Sequence, residues 1–215
     1  MSTSTRNNPC KYLYIFLLLA LFSCQQRSVE HPSITPPIEK FHVGDLAFRL
    51  GRSLQSGLIA SAGNGAKSYS HIGIIIEQDS ALVVAHIEPD NTRPDERILC
   101  ESLEDFFTYE DAVAGCVMRY NHLNDAQRTA IERHATRLLN SGVEFDHDYR
   151  LSDTTAMYCT ELVEYIFSIE GVELSQSRRH ILPLVSEPII LPSDIAENDN
   201  LTEIWQFTYD LRPAR

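Results

Sequence analysis

The run Thr155-Ala156-Met157-Tyr158-Cys159-Thr160-Glu161-Leu162-Val163 decides how this chain is read. Leu162, Val163, Ile166 and Phe167 recur at helical spacing, which predicts a buried helix that runs to Glu170 and stops at Gly171. Cys159 falls in its first turn, on the inward face. A thiol there meets the positive end of the helix dipole, which favours thiolate. Upstream, Ser70-His71-Ile72-Gly73-Ile74-Ile75-Ile76 predicts a strand that begins with an imidazole. A helix-start cysteine facing a strand-borne histidine is how a cysteine hydrolase makes its nucleophile. Taken singly, Cys159 reads equally well as a buried structural thiol.

Working outward, His42 to Arg49 reads as a strand entered through Gly44-Asp45, and Ser53 to Ala62 as a short helix. His71 to Glu77 and Ala81 to Glu88 form a hairpin about the polar turn Gln78-Asp79-Ser80. Arg97 to Cys100 and Ala114 to Tyr120 are further strands, separated by a short helix that Ser102 and Asp105 cap. Asn124 or Asp125 caps an amphipathic helix that ends before Ser141-Gly142. Ile189 to Leu191 and Ile204 to Thr208 are the last strand-like pieces. Strands followed by helices, without regular alternation, predict an α+β fold with an antiparallel sheet packed against helices.

The N-terminus predicts a compartment. Arg6 and Lys11 precede an apolar run from Tyr12 to Phe22, long enough for a signal segment and too short to span a bilayer. Its end, Leu21-Phe22-Ser23-Cys24, resembles a bacterial lipobox, which implies a signal peptide over 1–23 and lipid attachment at Cys24. Residues 24–39, with Pro32, Pro36 and Pro37, read as a tether. Residues 40–215 then form one domain in the bacterial cell envelope, a lipid-anchored periplasmic or outer-membrane lipoprotein. The formal charge of −12 becomes −14 without Arg6 and Lys11, which removes the basic footprint of a nucleic-acid binder. The membrane is therefore reached through lipidated Cys24.

Beyond Cys24, the domain keeps Cys100, Cys116 and Cys159. Cys100 and Cys116 either pair, leaving Cys159 free, or stay separate buried thiols; the sequence leaves both open. None of the three has zinc-ribbon spacing. Phe145-Asp146-His147-Asp148-Tyr149 lacks the ligand spacing of a calcium loop and reads as a solvated loop that seats the Cys159 helix.

Four pieces, Gly44-Asp45-Leu46, Ser70-His71-Ile72-Gly73-Ile74, Phe145-Asp146-His147-Asp148 and Tyr158-Cys159-Thr160-Glu161-Leu162, together resemble the YiiX-like branch of the NlpC-type cysteine hydrolases. The resemblance covers most of Lys40 to Asp194. It implies a circularly permuted papain-like fold in which histidine precedes cysteine, an order shared by the lecithin–retinol acyltransferases. It also implies Cys159 as nucleophile and His71 as general base. A third residue from the following strand would orient the base. Strand alternation puts His86 and Glu88 on one face. His86 is the choice, because Val84-Ala85-His86-Ile87 resembles the second histidine segment of the acyltransferases, and Glu88 is the alternative. The Cys159 amide, Tyr158 and Glu161 are candidates for oxyanion or substrate contacts.

Three function classes follow. The first is an amidase or cysteine peptidase cleaving a cell-wall peptide or an N-acyl amino acid through a thioester, with no cofactor. The second is a lipid-directed thiol acyltransferase or esterase, with the Leu58-Ile59-Ala60 stretch as a groove wall. The third is a non-catalytic binding module. A zinc site of Cys159, His71 and His86 has suitable ligand types, but the hydrolase motif weighs against it.

Overall fold

His71–Gln78 is buried on both faces over its first six residues, and the architecture follows from that. The computed structural model describes residues 31–63, 65–89, 95–183 and 185–210. The predicted signal segment, Cys10 and Cys24 lie outside the described residues. In chain order the elements are β1 (Leu46–Gly51), α1 (Leu54–Ala62), β2 (His71–Gln78), β3 (Ala81–His86), β4 (Leu99–Ser102) and α2 (Leu103–Phe106). Then come β5 (Ala112–Tyr120), α3 (Asp125–Leu139), β6 (Glu144–Phe145), β7 (Ala156–Met157), α4 (Cys159–Ile169), α5 (Pro192–Ala196) and β8 (Leu201–Thr208).

Six strands form one sheet in the order β4-β3-β2-β1-β5-β8, and every neighbouring pair is antiparallel. The β2–β3 hairpin turns at Asp79 and Ser80, whose φ values of 51° and 65° match the twist that antiparallel strands need. Ile72, Ile74 and Ile76 join the larger core on one face, with Leu162, Val163, Ile166 and Phe167 of α4. Ile75 and Val84 join a smaller core on the other face, with Leu103, Phe106 and Phe107. This double burial explains why β2 reads as a nearly continuous apolar run. Each of the four large α4 side chains contributes about 1.5–3 kcal/mol by leaving water, so packing rather than intrinsic propensity holds the helix.

The caps agree with the sequence. Asn124 and Gln127 form a reciprocal capping box at the start of α3, and the Ser102 side chain accepts the Asp105 amide at 3.0 Å. Two expectations change, and one open question closes. Residues 34–39 are not a free tether, because Ile34 and Ile38 pack on the smaller core and Pro36 is buried. Ile189–Leu191 makes a single bridge, His180 to Ile189, before Pro192 opens α5; proline suits the first helical position. Cys100 on β4 and Cys116 on β5 are separated by three intervening strands. That distance is about 19 Å at about 4.8 Å per strand, against the roughly 7 Å limit for a disulfide. Both thiols are free, as is Cys159.

Candidate active site

The two halves of the predicted pair arrive by different routes. His71 is the first residue of β2, where the preceding Ser70 amide bonds to the Arg49 carbonyl at 3.0 Å. Cys159 opens α4 directly after β7, which pairs in parallel with β6 through Phe145 and Met157. The Asp146 amide bonds to the Met157 carbonyl at 3.1 Å, so the loop after Phe145 does seat this helix. The Ile72 amide, next to His71, stands close enough to the Cys159 sulfur to favour its thiolate. Cys159 and His71 line one cleft of about 400 Å³. Its walls are α1 through Gln55, Ser56 and Ile59, an aromatic side of Phe145 and Tyr149, and an apolar side from Ile189 to Pro192.

Burial governs the charge state of the pair. It pushes the Cys159 thiol up to about 11, and the Glu88 carboxylate adds to that rise. The amides of Ile72, Thr160 and Cys159 itself pull the other way. Burial also holds His71 well below the usual imidazole range, reinforced by the Arg49 charge and then by His86. The resting pair is therefore thiol and neutral imidazole. The dipole argument pointed toward thiolate, but a helix terminus supplies only about 0.3–1 kcal/mol at a surface. Burial can shift a pKa by several units, so desolvation outweighs the dipole even with Cys159 only partly buried.

His86, the last residue of β3, has no exposed surface. Its Nδ1 lies 2.9 Å from His71 Nε2 in a hydrogen bond. Its ring meets Phe106 edge-on at 5.1 Å between centroids. Gly73 clears the space above β2: a Cβ there would stand 3.0 Å from the His86 Cβ and 2.5 Å from Val84 Cγ1. On its far side, His86 Nε2 is 3.1 Å from Glu101 Oε2, though off the line of a well-formed hydrogen bond. Glu88, the alternative third residue, is also close, with Oε2 3.9 Å from His71 Nε2. That same oxygen is ion-paired with Arg49 Nη2. Arg49 is itself held by a 3.0 Å bond from Nη1 to the Phe106 carbonyl and lies 4.6 Å above the Phe106 ring.

The other two candidates divide. The Tyr158 ring lines the cleft, and its hydroxyl accepts the Ile190 amide at 3.0 Å, tying the apolar wall to the start of α4. Glu161 is not among the cleft residues. Its carboxylate accepts the Tyr158 amide at 3.4 Å, and it therefore serves its own helix terminus. Burial pushes Glu161 up to about 8. Arg49, Glu101 and the space-making role of Gly73 escaped the sequence reading. For Arg49 and Glu101 the only signal was a charged residue in or next to a predicted strand, and Gly73 was legible only as part of Ser70-His71-Ile72-Gly73.

No protein-family model and no curated protein matches this chain by sequence. Among solved structures, a match covers 79% of this chain and 99% of the other, with a TM-score of 0.63 and 18% identity. That structure is the metalloprotein YiiX of Escherichia coli O157:H7. The fold here is similar to that of YiiX.

YiiX is a metalloprotein, and three potential metal ligands also stand together in this chain. His71, His86 and Glu88 each offer one atom, all within 4.8 Å of one another. These atoms fit a cation poorly. His71 Nε2 and His86 Nδ1 are bonded to each other, and the Glu88 oxygen is bonded to Arg49. A divalent ion would displace both interactions and stand against a buried guanidinium.

Proposed function

We propose that this protein is an exported thiol hydrolase that cleaves an amide bond in a cell-wall peptide or an N-acyl amino acid. The observation that carries the reading is Cys159 and His71 on one cleft, with His86 hydrogen-bonded behind the base. The YiiX-like fold and the motifs support a permuted papain-like hydrolase. On this reading His71 takes the thiol proton as the Cys159 sulfur attacks the carbonyl carbon. The oxyanion forms beside the opening amides of α4. Collapse expels the amine, which leaves with the proton from His71, and a thioester remains on Cys159. Water, deprotonated by His71, then hydrolyses the thioester. His86 orients His71, and Glu88 acts through Arg49. Export and lipid anchoring at Cys24 rest on the sequence of residues 1–24.

A second reading, a lipid-directed acyltransferase or esterase, is favoured by one observation. Ile59, Ile189, Ile190 and Leu191 give the cleft an apolar wall suited to an acyl chain. The test is mass spectrometry of products from wall peptides and from N- and O-acyl lipids, with Cys159→Ala alongside. Cleaved peptides that vanish in Cys159→Ala support the amidase. Released or transferred acyl chains support the lipid enzyme. Full turnover by Cys159→Ala would remove both.

A further inference from the structure

We infer that Glu101 is a positioning residue that sets the proton pattern of the paired histidines, so that His71 presents a bare Nδ1 to Cys159. This deepens the thiol-hydrolase reading and rests on it for the role of Cys159. Glu101 stands on β4 opposite Val84, and His86 stands opposite Leu99. Residues two apart on one strand share a face, so Glu101 and His86 are diagonal neighbours across the β3–β4 ladder. That diagonal leaves Oε2 of Glu101 3.1 Å from Nε2 of His86.

The bond between the histidines can be protonated in two ways. In one, His86 donates from Nδ1 to His71 Nε2. His86 Nε2 would then direct a lone pair at a carboxylate oxygen 3.1 Å away, and His71 would carry its proton on Nδ1, where it could not act as a base. In the other, His86 is protonated on Nε2, toward Glu101. Its Nδ1 then accepts from His71 Nε2, and the lone pair of His71 Nδ1 is free for the thiol proton. An acceptor oxygen of Glu101 beside His86 Nε2 selects the second arrangement. Arg49 Nη1, 3.9 Å from the same Glu101 oxygen, sets a positive charge beside it. Complete burial of His86 leaves no water contact to offer its Nε2 another partner. His71, His86 and Glu101 thus stand in one row, the first two hydrogen-bonded and the last two in close contact, while Glu88 is engaged by Arg49.

The test is ¹⁵N NMR of histidine-labelled protein at pH 7.5, with the rings assigned from His71→Gln and His86→Gln. Wild type should show His86 protonated on Nε2 and His71 on Nε2. Glu101→Gln keeps an oxygen acceptor and should keep that pattern. Glu101→Leu should mix the tautomers of both rings and slow iodoacetamide labelling of Cys159 at least about tenfold, as loss of a correctly oriented base does. A wild-type His86 protonated on Nδ1 would overturn the inference, and that measurement needs no variant to fold. So would a Glu101→Leu protein with wild-type ring signals and labelling rate. Tautomers mixed equally by Gln and Leu would refute the acceptor role. If the ring pattern holds while no amide or acyl substrate turns over, the proposed function fails and the positioning role stands.

Discussion

Replacing Gly73 with alanine adds one methyl group where the site has no room for it. The new Cβ would sit 2.5 Å from Val84 Cγ1 and 3.0 Å from both the Ala85 carbonyl oxygen and the His86 Cβ. Val84 is fully buried, and Ala85 is fixed in the ladder opposite Ile74, so neither can swing aside. Overpacking of this kind costs about 1–3 kcal/mol. For a domain of this size, each kcal/mol lowers Tm by roughly 2–4 °C. Relief to ordinary contact requires the Val84 methyl to recede by about 0.9 Å, carrying β3 away from β2. The same shift stretches the 2.9 Å bond between His71 and His86 beyond the usual range of about 3.2 Å. Thermal melting by circular dichroism should therefore fall by several degrees, and iodoacetamide labelling of Cys159 should slow. Gly57→Ala is the control: nothing lies within 4 Å of its added Cβ, and a helical glycine-to-alanine change should stabilise by about 0.5–1 kcal/mol. A Gly73→Ala protein that melts within about 1 °C of wild type and labels at the wild-type rate would refute the packing argument.

Cys159 should label slowly at neutral pH, because the thiolate reacts and burial holds the thiol up to about 11. The rate should climb roughly tenfold per pH unit from about 7 to 10; a plateau below pH 7 would mean a preformed ion pair instead. The same rise has a consequence for stability. The unfolded chain loses this proton first, so the contribution is intact below the unfolded thiol pKa and is lost as pH rises toward about 11. Arg49→Met leaves the partly exposed Glu88 carboxylate unpaired and should destabilise by about 1–3 kcal/mol, measured by urea unfolding; no measurable loss would show that the pair is fully solvated. Dialysis against EDTA should leave Cys159 labelling and any turnover unchanged. A loss that Zn²⁺ restores would make His71, His86 and Glu88 a metal centre.

Much of this site is legible without coordinates because its main parts are local. The spacing of Leu162, Val163, Ile166 and Phe167 makes α4 amphipathic, and Cys159 must then stand at its start. The polar turn at Asp79-Ser80 fixes the hairpin, and alternation within β3 puts His86 on the face of Val84. The disulfide question was not legible, since the spacing of Cys100 and Cys116 says nothing of the three strands between them. The tether was misjudged at its end for a related reason. Pro36 and Pro37 signal irregular backbone, but whether Ile34 and Ile38 find a core depends on Phe41, Trp205 and Phe207 being placed beneath them.

The charge state divides in the same way. A helix start and a nearby histidine are sequence properties, and both point toward thiolate. Desolvation is a property of the packed fold, and it reverses the balance at Cys159 and His71. The sequence by itself determined most of the elements, the caps, and Cys159 and His71 as the candidate pair, because periodicity and turn chemistry act over a few residues. Tertiary structure alone decided that His86 meets His71 directly, that Arg49 engages Glu88, and that Glu101 stands behind His86. A strand's pattern fixes which face a side chain takes. Only sheet order and register fix what it finds there.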